Sequence, residues 1–248
     1  MSVTVHQFPC LSDNYGFLVR DDATGLAACI DTPDAEAILA ELAKLGWKLD
    51  LILNTHWHPD HAGGNAAIQA ATGATVVGPP EVERLTPVDR QVAGGDTVEL
   101  GQTRFEVIES GGHTLGHIAF YDAQDAVAFV GDTLFALGCG RLFEGTPAQM
   151  WDSLARLTAL PDDTAVYCAH EYTASNARFA LSVDSDPVLK ARTEAIFAAR
   201  ERGEATVPTT IGLEKATNPF LRAPLLRPGM APHEAFGAVR AAKDAFKG

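Results

Sequence analysis

Three histidines and an aspartate fall within six residues in His56-Trp57-His58-Pro59-Asp60-His61, directly after the apolar run Leu51-Ile52-Leu53. The core of a sheet has no use for so many polar rings in so short a segment; a metal site does. Neutral imidazole and carboxylate are ordinary ligands of zinc, iron and manganese. His56 and His58 stand two apart, so in an extended loop both rings face one side. Asp60 and His61 are adjacent and can serve a second point. The spacing suits two metals held close together rather than one. A polar loop with histidines by chance is the plainer alternative. A buried strand running straight into four ligand-type side chains favours metal.

The same arrangement, an apolar strand followed by a ligand-type residue, recurs three times. Gly111-Gly112-His113-Thr114 follows a strand ending near Ile108, and its glycines let the backbone approach closely. Asp132 follows Phe129-Val130-Gly131, and His170 follows Tyr167-Cys168-Ala169. Each alone is weak, since Asp is common in turns and caps. Together they strengthen one another. His6, His117 and His233 read as structural or surface residues, with His117 near enough to the loop to support it. Asp31 either orients the metal loop or starts a helix. Cys139 reads as a packed thiol rather than a nucleophile.

The elements that must position these residues can be traced by periodicity. Val3 to Phe8, Phe17 to Arg20 and Leu26 to Ile30 read as strands in a hairpin pattern. A helix then starts at Asp31-Thr32-Pro33-Asp34, with Pro33 at its first position, and carries the stripe Ile38, Leu39, Leu42 and Leu45 to Gly46. Asp50 to Leu53 is a buried strand that feeds the histidine loop, and a small-residue helix follows near Ala62 to Ala71. Ala74 to Val77 is a further strand, and Glu81 to Gly95 reads as surface. Thr97 to Leu100, Thr103 to Ile108, Ile118 to Tyr121 and Ala126 to Val130 are strands. Thr146-Pro147-Ala148-Gln149 is a capping-box helix start, and Ala165 to Cys168 is the last strand. Beyond His170 the texture turns helical: Asn176 to Val183, Asp186 to Arg202, a short piece at Leu213 to Ala216, and Pro232 to Phe246.

The 248 residues carry 19 Lys and Arg against 32 Asp and Glu, a formal charge of -13. Such a chain repels nucleic-acid phosphate and anionic membrane, so neither is an expected partner. An anionic substrate needs a local basic cluster working against that field. The four cysteines form no C-x-x-C pair, which points to reduced thiols and a cytoplasmic location. Met1-Ser2-Val3-Thr4-Val5-His6 shows no signal peptide, and no apolar run is long enough to span a membrane.

The set Thr-His-x-His-x-Asp-His, Gly-His-Thr, Gly-Asp-Thr and Ala-His-Glu-Tyr resembles the metallo-β-lactamase superfamily. More narrowly the chain resembles the hydroxyacylglutathione hydrolase (glyoxalase II) family. The likeness extends to Phe8-Pro9-Cys10-Leu11-Ser12-Asp13-Asn14-Tyr15, to Cys139-Gly140-Arg141-Leu142-Phe143-Glu144-Gly145-Thr146, to Thr209-Thr210-Ile211-Gly212 and to Lys215-Ala216-Thr217-Asn218-Pro219-Phe220-Leu221-Arg222. It implies an α+β fold, an αββα sandwich of two mixed β-sheets with a helical C-terminal domain. The expected domains are a catalytic one over 1–172 and a helical substrate-binding one over 173–248. His56, His58 and His113 would hold one metal, Asp60, His61 and His170 the other, and Asp132 would bridge them. The cofactor expected is two divalent ions, zinc first, with iron or manganese as alternatives. Asp60 and Asp132 are the implied catalytic carboxylates, Asp60 as a ligand rather than a base.

The implied reaction is hydrolysis of S-(2-hydroxyacyl)glutathione, with S-D-lactoylglutathione as substrate, by hydroxide held between the metals. Its product side is a 2-hydroxy acid and glutathione, a methylglyoxal-detoxification step. The implied substrate contacts are Arg141, Phe143, Tyr172, Asn176, Arg240 and Lys243. On spacing alone, Arg240 and Lys243 are a solvated helix face; the resemblance makes them a binding face. Arg141 stands where many relatives have Lys, and Phe143 where many have Tyr, so positive charge is kept and a hydroxyl is lost. The family also implies a monomer. Two other readings stand beside this one. A persulfide dioxygenase shares the loop but uses a single iron and lacks the C-terminal helical domain. A metal-binding scaffold without turnover would be favoured by missing ligands, and the set is complete.

Overall fold

In the computed structural model, which describes residues 3–247, the chain forms two compact units: Met1–Glu109 with Gly116–Gly131, and Ser110–Leu115 with Asp132–Gly248. Met1, Ser2 and Gly248, the ends of the expected domains, lie outside the described residues.

The first unit begins with β1 (Val3–Cys10), β2 (Asn14–Asp21) and β3 (Ala27–Ile30), the expected meander. Helix α1 (Ala35–Leu45) starts two residues later than its sequence signal. Asp34 is the cap, its carboxylate accepting from the Ala37 amide at 3.1 Å, and Pro33 stands before the cap rather than inside the helix. Gly46 ends the helix in the left-handed region, at φ 64°. Then come β4 (Leu49–Leu53), α2 (Pro59–Ala62), α3 (Asn65–Thr72), β5 (Thr75–Gly78) and β6 (Arg90–Gln91). The first sheet runs β1-β2-β3-β4-β5-β6, antiparallel up to β3 and parallel beyond. Parallel strands need crossovers, which α1 and the α2–α3 segment provide. β7 (Thr97–Leu100), β8 (Thr103–Glu109), β9 (Ile118–Asp122) and β10 (Val127–Gly131) pair antiparallel in sequence.

Alternation along the strands divides the core of this unit in two. Leu18, Cys29, Ile52 and Val76 pack against Ile38 and Leu42 of α1 and Ile68 of α3. Phe17 of β2 points the other way and meets Phe129 of β10 at 5.7 Å, so the two strand layers pack face to face. The stretch read as surface between residues 81 and 95 is partly internal. It holds a 3-10 turn over Pro80–Arg84, and Glu81, Val82, Thr86 and Val92 are buried. Its polar composition misled because Glu81 is satisfied internally, accepting the Gly116 amide at 2.7 Å.

The second unit opens on a buried hairpin that periodicity did not reveal, β11 (Leu134–Phe135) and β12 (Gly138–Cys139). Two residues per strand are too few to show a period. Helix α4 (Pro147–Thr158) carries the expected capping box. Thr146 Oγ1 accepts from the Gln149 amide, and Gln149 Oε1 from the Thr146 amide. β13 (Ala165–Cys168) pairs antiparallel with β14 (Thr209–Thr210). The remaining elements are helical: α5 (Thr173–Val183), α6 (Pro187–Glu201), α7 (Ile211–Thr217), α8 (Ala223–Leu226) and α9 (Pro232–Ala245).

Side chains from these helices hold the hairpin by its backbone. Asn218 Nδ2 donates to the Phe135 and Gly138 carbonyls at 3.2 and 2.9 Å, and Asn176 Nδ2 to Ala136 at 3.1 Å. The Leu137 amide, in a residue forced to φ 55°, donates to Glu214 at 2.9 Å. Glu214 is wholly buried and paired with Arg192. A hairpin this short cannot satisfy its own polar groups, so polar side chains complete it. Among the described residues no helix is long and apolar enough to cross a membrane.

Candidate active site

Four of the expected ligands lie in the first unit. His56 and His58 lie in the loop after β4, and Asp60 and His61 on the single turn of α2, so the segment is not extended throughout as its spacing suggested. Hydrogen bonds fix which ring nitrogen each histidine offers. Thr55 Oγ1 donates its proton to Asp31 Oδ2 at 2.7 Å, so His56 Nδ1, 3.0 Å from that hydroxyl, must donate to it. His61 Nδ1 donates to the same Asp31 carboxylate at 2.8 Å. Both rings therefore keep Nε2 as a lone-pair donor, the arrangement that ligating imidazoles need. His56 Nε2 lies 3.0 Å from His58 Nδ1, and His61 Nε2 lies 3.5 Å from Asp60 Oδ2.

Asp31 therefore orients the metal loop and is not the helix cap. It sits at φ 55° after β3 and also accepts the Thr55 amide at 2.7 Å. A second clamp holds the carbonyl of His61, which accepts from the Thr32 amide at 2.7 Å and from Asn54 Nδ2 at 3.0 Å. Asn54 is locked in turn to Asn65. Asn14 Nδ2 reaches Asp60 Oδ2 at 3.1 Å. His117, read as structural, is fully buried with its ring stacked on His56 at 4.7 Å. Gly131 lets this packing close: at φ 47°, a Cβ there would lie 2.6 Å from Thr55 Oγ1 and 2.7 Å from His117 Nε2. Asp31, His56 and His61 each bring a polar atom within 4.8 Å of the others, but the Asp31 carboxylate is spent on Thr55 and His61 Nδ1, so in this buried cluster it orients the rings and leaves their Nε2 atoms for a metal ion.

The other three expected ligands, His113, Asp132 and His170, lie in the second unit. His113 Nδ1 donates to the Arg141 carbonyl at 2.8 Å, which again leaves Nε2 as the donor atom. The Asp132 carboxylate divides itself: Oδ2 lies 3.3 Å from His113 Nε2 and Oδ1 3.3 Å from His170 Nε2. Two imidazoles on the two oxygens of one carboxylate is a donor set that suits a bridging ligand. Tyr172 stacks on His170 at 4.6 Å and 3°, and Phe143 stands edge-on to His113 at 5.2 Å.

His113 and Asp132 open onto a cavity of about 490 Å³ within this unit, and Arg141, Phe143, Tyr172, Asn176, Arg240 and Lys243 all line it. They are not equivalent. Phe143 is 63 % exposed and Arg141 is exposed, whereas Arg240 is only 6 % exposed. The Arg240 guanidinium donates to the Cys139 carbonyl at 2.9 Å and to Asp244 at 2.8 Å, so it is no solvated helix face. Asn176, through Ala136, likewise braces the hairpin. Lys243 donates to Ser175 O at 3.1 Å and Oγ at 3.3 Å. Burial, then the charges of Arg240, Arg178 and Arg141, bring its pKa down to about 8. Burial pushes the Cys139 thiol up to about 11, which keeps it protonated and unreactive.

Sequence reasoning missed the roles of Thr55, Asn54, Asn65 and Glu214. Each acts through a side-chain hydrogen bond whose partner only the fold selects, and residue type alone carries no signal of that.

A family model for the metallo-beta-lactamase superfamily matches residues 27–170, and one for the hydroxyacylglutathione hydrolase C-terminus matches 171–246. A relative from Erythrobacter litoralis (strain HTCC2594), named hydroxyacylglutathione hydrolase, is 57% identical over 98% of this chain and 99% of its own. The solved BLEG-1 B3 metallo-beta-lactamase superposes with a TM-score of 0.69 at 23% identity, covering 88% of this chain and 99% of that one. TTHA1623 in a di-iron-bound form superposes at 0.64 with 28% identity, over 88% of this chain and 100% of that one.

Proposed function

Because the chain belongs to the metallo-β-lactamase superfamily and, within it, to the hydroxyacylglutathione hydrolase family, we propose that it hydrolyses S-(2-hydroxyacyl)glutathione, S-D-lactoylglutathione above all. The products are D-lactate and glutathione, so the step detoxifies methylglyoxal. The observation that carries this is the cavity of the second unit, where two ligand residues and a group of cations line one space.

His56, His58 and His113 are assigned to one cation, Asp60, His61 and His170 to the other, and Asp132 to both. The fixed Nε2 donors and the divided Asp132 carboxylate support that set. When bound, two divalent cations supply Lewis-acid polarisation and a hydroxide at neutral pH. Zinc suits the donors, with iron and manganese as alternatives. The di-iron form of TTHA1623 supports two ions and keeps iron in view. Asp60 and Asp132 act as ligands and not as bases.

The protein's own residues do the rest. Lys243 and Arg141 attract the carboxylates of the glutathione moiety into an otherwise acidic chain. Phe143 and Tyr172 place aromatic rings beside His113 and His170 and give the cavity an apolar rim against which the substrate can pack. The leaving thiol has an ordinary pKa of about 8.5, so it departs as thiolate without a proton from the protein. A dedicated general acid is not needed.

Functionally the chain divides into a catalytic domain over 1–172 and a helical substrate-binding domain over 173–248. The meeting point of the two family models at residues 170 and 171 supports that division. The packing units cut elsewhere because the segments 110–115 and 132–172 pack with the C-terminal helices. A monomer in the cytoplasm completes the reading, and four buried free cysteines suit a reducing compartment.

The test is loss of thioester absorbance with S-D-lactoylglutathione, run beside oxygen uptake with glutathione persulfide. Thioester cleavage without oxygen uptake is expected. Oxygen uptake without cleavage would replace the hydrolase with a dioxygenase.

A further inference from the structure

The loop that carries His113 is tied to one short segment, residues 141–145, by both its ends and its ring. His113 Nδ1 donates to the Arg141 carbonyl at 2.8 Å, and the His113 carbonyl accepts the Glu144 amide at 3.3 Å. On one side the Gly112 carbonyl accepts the Gly145 amide at 3.1 Å. On the other the Leu115 amide donates to Glu144 Oε2 at 3.0 Å. Of these bonds, that last one alone is made by a side chain of the 141–145 segment. Glu144 thus grips the loop on both sides of the buried Thr114, with its own amide at His113 and its carboxylate at Leu115.

The two stretches run in backbone contact, since a Cβ on Gly145 would lie 2.6 Å from the Gly112 Cα. The far end of the loop is held differently. Leu115 is 53 % exposed, so packing does not anchor that end; hydrogen bonds do, from Leu115 to Glu144 and from the next amide, Gly116, to Glu81. What the loop must hold is demanding. His113 Nε2 lies 3.3 Å from Asp132 Oδ2, and a ligating ring works only within about 0.5 Å of its productive place. Partners that orient a ligand residue contribute to metal affinity almost as directly as the ligand does.

We propose that Glu144 is a positioning residue for His113: by accepting the Leu115 amide it holds the loop so that His113 Nε2 faces Asp132, and so sets the affinity of the ion assigned to His113. This rests on the two-cation reading above. The working feature is an acceptor oxygen at the Leu115 amide rather than a negative charge.

The test compares wild type with Glu144→Ala and Glu144→Gln. Metal-free protein is titrated with zinc against a chromophoric chelator, and with cobalt(II), whose visible absorption reports the ligand geometry of each site. Wild type is expected to take up two ions. Glu144→Ala should weaken one of them about tenfold, spare the other, and change the cobalt absorption of the weakened site alone. Glu144→Gln keeps a carbonyl acceptor and should restore both the affinity and the absorption. Unchanged affinity for both ions in Glu144→Ala would overturn the inference. So would equal weakening of both, the mark of a general loosening of the fold, or a Glu144→Gln as weak as Glu144→Ala. If wild type takes up a single ion, the two-cation reading fails, and the response of that ion to Glu144→Ala decides the role of Glu144.

Discussion

Asp31 accepts from the Thr55 amide, the Thr55 hydroxyl and His61 Nδ1, so one carboxylate fixes two expected ligands, His61 directly and His56 through Thr55. Removing it in Asp31→Ala strands those donors in a buried place and lets both rings turn. Metal affinity should fall ~10–100-fold, as measured by competition with a chromophoric chelator. Lys243 makes a different prediction. Its ammonium is charged below its pKa of about 8 and neutral above it, because burial and then Arg240, Arg178 and Arg141 disfavour the charged form. KM for the anionic thioester should stay flat at lower pH and climb as pH passes 8. Lys243→Arg should remove that step, since guanidinium does not titrate there. A wild-type KM that is level through pH 8 would show that Lys243 does not meet substrate charge.

At the scale of elements, the β11–β12 hairpin is held by side chains rather than by length. It runs from just after Asp132 to just before Arg141, so its placement sets where a metal ligand and a substrate cation stand. Glu214→Ala removes the acceptor for the Leu137 amide and leaves Arg192 nearly buried without its partner. Breaking a buried pair in this way costs ~3–5 kcal/mol, which urea unfolding should register. Thr146→Ala tests a local device by the same measurement. It deletes half of the α4 capping box and should cost ~1 kcal/mol, with little effect on KM. A Glu214→Ala loss no larger than that of Thr146→Ala would mean the hairpin does not depend on the buried network.

At the scale of the whole molecule, the first unit depends on a carboxylate that joins its strand layers. Asp21, at the end of β2, accepts from Thr24 and from the Gln102 and Thr103 amides and the Thr103 hydroxyl at the β7–β8 turn. Burial alone would raise its pKa, but the hydrogen bonds from Thr24, Thr103 and Gln102 outweigh it and bring the carboxyl to about 2. A depressed pKa contributes stability that is fully present above the ordinary carboxylate value of 3.8 and is lost as pH falls toward 2. Acid unfolding of Asp21→Asn should therefore show a shallower slope in that window than wild type. Equal slopes would assign the acid sensitivity to other groups.

Local order is what the linear chain encoded most directly. The ligand motif, the strand-then-ligand recurrence, the α1 stripe and the Thr146–Gln149 box act over spacings of a few residues, so type and spacing reveal them. The helical character of the C-terminal third was legible for the same reason. Tertiary structure alone decided which groups share a proton, a cavity or a charge. That Asp31 orients rings instead of capping a helix follows from Thr55 and His61 lying far along the chain but close in the fold. That Arg240 is buried and bonded follows from Cys139, a hundred residues from Arg240, supplying its carbonyl. Hydrogen bonding and desolvation depend on distance in space, and a sequence records only distance along the chain.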